Sequence, residues 1–170
     1  EPLSEALRAP ETVIDAMLTE LVRETFNQYL PDVVGLTAPF PGNVYASFRI
    51  ASVIRNHSPK TKIVFGGGYP NTELRELTEP RVFDYFDFVT LDDGEKPLQC
   101  IVEHLEGKRD AGHLCRTFVR RAGKVEYIND VSIPPLSHAE SGTPTYDALF
   151  EQAPATFDVI LTNPPFGGKE

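Results

Sequence analysis

Three consecutive glycines, Gly66, Gly67 and Gly68, follow the apolar run Ile63-Val64-Phe65 and precede a stretch with helical spacing. A strand that ends on glycines lets a flat or phosphorylated ligand approach its backbone, because no Cβ stands in the way. The same residues suit a crowded strand-to-helix turn that binds nothing, and they lack the spacing of the dinucleotide fingerprint or the phosphate loop. Asp92, Asp93 and Glu95, grouped around Gly94, offer carboxylates for acid–base work or for a hard metal ion. An acidic turn at a helix start serves them equally well. The tail "FDVILTNPPFGGKE" sets the amide of Asn163 and the ring of Phe166 around Pro164 and Pro165, directly after an apolar run. A proline-rich turn is the plain alternative there.

These residues must be carried by regular elements, and the hydrophobic pattern supplies them. Residues 11 to 29 place Val13, Ile14, Met17, Leu18, Leu21, Val22, Phe26 and Tyr29 at helical spacing, which predicts one apolar stripe. The chain then reads as a buried strand over 32–37 and a loop. Asn43 is expected to cap a helix with Val44, Phe48, Ala51 and Ile54 inward. "KIVFGGG" predicts a second strand, Asn71 or Thr72 the start of a short helix with Leu74 and Leu77 inward, and "FDFVTL" at 86–91 a third strand. The next helix should turn Leu98, Ile101, Val102 and Leu105 to one side.

Alternation of this kind predicts an α/β fold, Rossmann-like or flavodoxin-like. Its three layers are a parallel sheet with helices on both faces. Ligands of such sheets bind at the carboxyl ends of the strands, where the loops 37–43, 66–71 and 92–95 all fall. "RTFVRRAGKVEYIND" adds an antiparallel hairpin with Gly123 at positive φ. Residues 131–148, rich in Pro, Ser and Gly, read as a linker between an α/β domain over 1–130 and a strand and tail over 149–170.

Bulk properties narrow the function classes. The 170 residues, 41% hydrophobic and 24% charged, fit an ordinary globular core. Sixteen basic against 25 acidic residues give a net charge of −9, which disfavours nucleic acid and anionic membranes as partners of this chain alone. Cys100 and Cys115 are too few for a metal centre of the Cys-x-x-Cys kind. His57, His104, His113 and His138 fall at helix ends or in the linker, so they read as solvated or locally bonded groups, and no metal site is expected. No membrane span and no signal core is seen, and a reducing cytoplasm is the expected location. The start at Glu1 reads as that of a fragment.

The order of pieces from "PDVVGLTAPFPGN" through "KIVFGGGYP" to "FDFVTLDDGEKPL", with the hairpin and "GTPTYD" beyond, resembles the cobalamin-binding-like domain at the front of B12-binding-domain radical SAM proteins. The resemblance covers about residues 1–147. It implies that Thr37, Gly66, Gly67 and Gly68 lie beside a cobalamin, with Asp93 and Gly94 in the neighbouring loop completing the candidate cofactor-binding set. Radical chemistry needs a three-cysteine motif for an iron–sulfur cluster, which Cys100 and Cys115 cannot supply. S-adenosylmethionine and the cluster would then belong to other parts of a full-length protein. The chain's expected role is binding or substrate positioning, with the rest of a radical SAM enzyme or its substrate as partner.

The last residues, 143–170, resemble instead the catalytic motif of N6-adenine DNA methyltransferases, especially the modification subunits of type I restriction systems. That resemblance implies that the Asn163 side chain and the Pro164 carbonyl accept from the adenine amine and that Phe166 stacks on a flipped base, with Pro165 part of the same catalytic motif. The cofactor loop such an enzyme requires is missing upstream. Meeting near "GTPTYDALF", the two resemblances lead to the expectation of a composite or truncated chain.

Overall fold

The computed structural model describes residues 2–137 and residue 140. Its elements follow in the order α1 (Pro2–Arg8), α2 (Val13–Tyr29), β1 (Val33–Thr37), α3 (Val44–His57), β2 (Lys62–Gly66), α4 (Gly68–Glu73), β3 (Phe88–Thr90), α5 (Glu95–Leu105), β4 (Thr117–Arg121) and β5 (Lys124–Ile128). One compact unit runs Glu1–Leu136 and a second Ser137–Glu170. Of the second, Ser137 donates through N and Oγ to the Glu140 carboxylate.

Five strands form one sheet in the order β1-β2-β3-β4-β5. β1, β2 and β3 run parallel, with Val33 opposite Lys62 and Val64 opposite Phe88. The hairpin is part of this sheet, because β4 joins β3 antiparallel through Thr90 opposite Thr117. Alternation along each strand sends its side chains to two cores. Ile63, Phe65, Val89 and Phe118 meet α2 and α3 on one face, whereas Val64, Phe88 and Val119 meet Cys100 and Ile101 of α5 on the other. The architecture is therefore the α/β sandwich of a Rossmann-like fold, with a mixed sheet that is mostly parallel.

The first core is aromatic. Phe65 and Phe86 stack at 4.4 Å, and Phe48 meets both edge-on. At the amino-terminal edge of the sheet, the half-buried Asp87 carboxylate accepts from Arg55 Nη2 at 2.6 Å, Lys62 Nζ at 3.2 Å and Ile63 N at 2.8 Å. That hub ties α3, β2 and the start of β3 together.

Several elements differ from the sequence expectation. Only Phe26, with Val22 beside it, carries the apolar stripe of α2 into the core; Val13, Ile14, Met17 and Leu21 are exposed. One helix seated on α3 buries one narrow seam, not the whole stripe. Asn43 makes no side-chain cap, since Pro41–Asn43 forms a 3-10 turn that runs straight into α3. α4 begins at Gly68, before Asn71. On α5 the buried side is Pro97, Cys100 and Ile101, leaving Leu98, Val102 and Leu105 part-exposed. The hairpin turn has Ala122 and Gly123 both at positive φ, which matches the twist of its strands. No helix among the described residues is long and apolar enough to cross a membrane.

Candidate functional site

The parallel strands end together, and their carboxyl ends open into a groove of about 450 Å³. Its floor is the second face of β1 and β2. Gly35, Thr37, Val64 and Gly66 point that way, because Val34, Leu36, Ile63 and Phe65 are claimed by the first core. α5 covers β2 to β4 on this face, and its first turn supplies one wall through Gly94, Glu95 and Leu98. Gly67, Thr90 and Asp92 complete the rim.

The glycines do different things. A Cβ on Gly35 would meet nothing within 4 Å, so this glycine leaves the floor flat without being required by its neighbours. Gly66 would place a Cβ 2.7 Å from Thr90 Oγ1. Gly67, at φ 104°, would meet the Ala38 carbonyl at 2.9 Å, and Gly68 the Pro39 carbonyl at 2.5 Å. The loop after β1 explains that crowding: Ala38 N donates to Gly66 O, and Tyr69 N donates to Ala38 O. Gly67 and Gly68 thus let the Ala38–Pro39 backbone pack against the β2–α4 turn.

The rim is held by a clasp. Asp92, at φ 59°, donates its N–H to the Asn71 side chain and accepts from Arg75 through its carboxylate. Arg75 Nε also donates to Asn71 O at 2.7 Å. α4 and the β3–α5 loop are fastened together beside the groove.

Of the residues singled out from the sequence, Thr37, Gly66, Gly67 and Gly94 line this groove together, while Gly68 and Asp93 are not among its lining residues. Asn163, Pro164, Pro165 and Phe166 lie outside the described residues, as does His138. Asp92 and Glu95, read from the sequence as acid–base or metal-binding carboxylates, also line the groove, whereas sequence reading missed Gly35. Gly35 inside a strand pattern was the available signal, since glycine in a strand often marks a close approach.

Among the described residues, the charged side chains that line the groove are Asp92 and Glu95. Carboxylates at a rim accept from N–H or O–H donors and repel phosphate chains. No histidine lines it: His57 meets Asn27, His104 the Arg109 carbonyl and His113 Asp130. Among the described residues no group of His, Cys, Asp and Glu could hold a metal ion. Cys100 and Cys115 face each other at 3.7 Å inside the second core, and burial pushes the Cys115 thiol up to about 11. That thiol is protonated at neutral pH and a poor nucleophile.

No protein-family model and no curated protein matches the sequence. Solved structures do. One is OxsB, a cobalamin-dependent S-adenosylmethionine radical enzyme, with a TM-score of 0.51 and 16% identity over 66% of this chain and 15% of its own. Another is TsrM of Kitasatospora setae, a radical S-adenosylmethionine methyltransferase solved with tryptophan and an aza analogue of S-adenosylmethionine. It has a TM-score of 0.51 and 19% identity over 65% of this chain and 21% of its own. What they share with this chain is the fold. It is Rossmann-like, and the chain spans a small fraction of either neighbour's length.

Proposed function

We propose that this Rossmann-like domain is a cobalamin-binding-like module of a radical SAM type protein, one that binds a cofactor or positions a substrate and leaves the radical chemistry to other segments. The observation that carries the reading is the flat, glycine-floored groove at the carboxyl edge of β1 and β2, bordered by carboxylates and free of basic side chains. A corrinoid is a broad macrocycle fringed with carboxamides. The fit is good in two respects: Gly35 and Gly66 leave room for a planar face, and Asp92 and Glu95 can accept from amide N–H groups. In a third respect the residues offer nothing, because no imidazole among the described residues lines the groove to ligate the metal. When bound, the group would supply cobalt-centred chemistry. Among this chain's own residues, Gly35 and Gly66 would leave room for it, and Asp92 and Glu95 would accept from its amide donors. The fold shared with OxsB, a cobalamin-dependent enzyme, supports the choice of ligand.

Titration with hydroxocobalamin, followed by its visible spectrum and by co-elution, tests the reading. Saturable binding is expected. Gly35→Val should weaken it by at least about tenfold, or ~1.4 kcal/mol, while leaving the circular dichroism and melting temperature near those of the parent, because the added methyls project into open space. Unchanged affinity in Gly35→Val would remove the groove from the site, and absence of any binding would remove the cofactor. Retained S-adenosylmethionine would favour the methyltransferase reading of Asn163 to Phe166 in its place.

A further inference from the structure

Among the described residues, four other than glycine have positive φ: Leu30, Asp92, Arg116 and Ala122. Local structure accounts for two. Leu30 is the left-handed cap that ends α2, and Ala122 belongs to the hairpin turn. The remaining two face each other across the β3–β4 junction. Leu91, the neighbour of Asp92, donates its N–H to the Arg116 carbonyl at 2.9 Å, one step beyond the Thr90–Thr117 pair. Strained backbone at a sheet's carboxyl edge is kept where the surrounding structure holds it for a purpose.

Arg116 is also electrostatically out of place. Arg49, Arg55 and Arg109 are the other half-buried arginines, and each has a carboxylate: Asp15, Asp87 and Glu103 in turn. Arg116 has none. Its Nε is shut off from solvent with no acceptor, and among the described residues its guanidinium makes no hydrogen bond or ion pair. The backbone is pinned independently, by Arg116 N donating to Asn129 Oδ1 at 3.2 Å. Across the hairpin, Tyr127 pairs with Phe118, and among the described residues its hydroxyl makes no hydrogen bond. The register sets Arg116 beside Asn129, two residues on from Tyr127 of β5; burial and then the Asp92 carboxylate push the Tyr127 phenol up, while Arg116 and Arg75 pull it down, and the phenol stays a donor at neutral pH. Arg75 already neutralises Asp92. The cluster therefore has one positive charge left over, on Arg116.

We propose that Arg116 and the Tyr127 hydroxyl, where the carboxyl ends of β3 and β5 meet the amino end of β4, form a binding site for an oxyanion, the carboxylate or phosphate of a small ligand. The guanidinium fork suits either group, and the ligand's oxygens would supply the acceptors that Arg116 lacks. In the sheet order the site lies beyond β3 from β1, neither Arg116 nor Tyr127 lines the groove, and the site stands whatever the groove takes.

The test uses inorganic phosphate and acetate as probes, at matched ionic strength against chloride. The Arg116 Nε–Hε resonance, assigned by its loss in Arg116→Gln, is followed in the parent protein. A saturable shift is expected; a response to phosphate alone or to acetate alone names the source of the oxyanion. Tyr127→Phe should weaken that response by about fivefold, the value of one ordinary hydrogen bond. Arg116→Gly separates function from architecture: it relieves the positive φ, so it should melt no lower than the parent yet lose all anion response. A resonance that moves with neither anion, a response that survives in Arg116→Gly, or a clear loss of stability in that variant would each overturn the proposal.

Discussion

At the residue scale, glycines of similar appearance separate by what a Cβ would touch. Gly67→Ala and Gly68→Ala drive a methyl into the Ala38 and Pro39 carbonyls, which are backbone and cannot swing away. Each should lower stability by about 1–3 kcal/mol, read from urea midpoints, and Gly35→Ala should stay close to the parent because its Cβ enters open space. Equal losses at all three positions would contradict the packing account. The Gly66-Gly67-Gly68 run was legible as a strand-to-helix turn. Whether its glycines served a ligand or a turn was not, because the decisive neighbour, the loop at Ala38 and Pro39, lies some thirty residues earlier in the chain.

Among the elements, α2 shows how far local signals reach. Thr12 and Asp15 form a reciprocal cap: Asp15 N donates to Thr12 Oγ1, and the Asp15 carboxylate accepts from Thr12 N at 2.9 Å and from Tyr45 OH at 2.9 Å. Thr12→Ala removes the side-chain acceptor and should cost about 1 kcal/mol, seen as a lower melting temperature with unchanged helix content below the transition; an unchanged midpoint would mean that the Tyr45 contact alone holds this end. Helical spacing over 13–29 was enough to place α2. It could not say which part of the apolar stripe is covered, since that depends on where α3 crosses it. The hairpin was legible for the opposite reason: Ala122-Gly123 and the alternation on either side are local. That it joins β3 was not, because strand neighbours are chosen by the long-range Thr90–Thr117 pairing.

For the whole molecule, the acid limb of stability follows from carboxylates whose native protonation is suppressed. Asp130 is held down to about 2 by hydrogen bonds from Ser132 and then His113, and Glu79 to about 2 by Arg81. Thr12 lowers Asp15, and Arg109 lowers Glu103. A carboxyl depressed in the folded state stabilises fully above its unfolded value, and the contribution is lost as pH falls toward the folded one. Melting temperature should therefore be level near pH 6 and fall between about pH 4 and pH 2; a flat profile across that range would show that these contacts are screened away in solution. Taken by itself, the sequence determined the α/β class, the order of the elements, the edge where the loops gather and the acidic charge, because periodicity, capping and turn chemistry act over a few residues. Tertiary structure alone decided that β4 and β5 extend the parallel sheet, that Gly35 floors a groove while Gly68 packs a turn, and that Arg116 is left without a carboxylate. Each of those depends on which distant segments the fold brings within a few ångströms, and no local pattern carries that information.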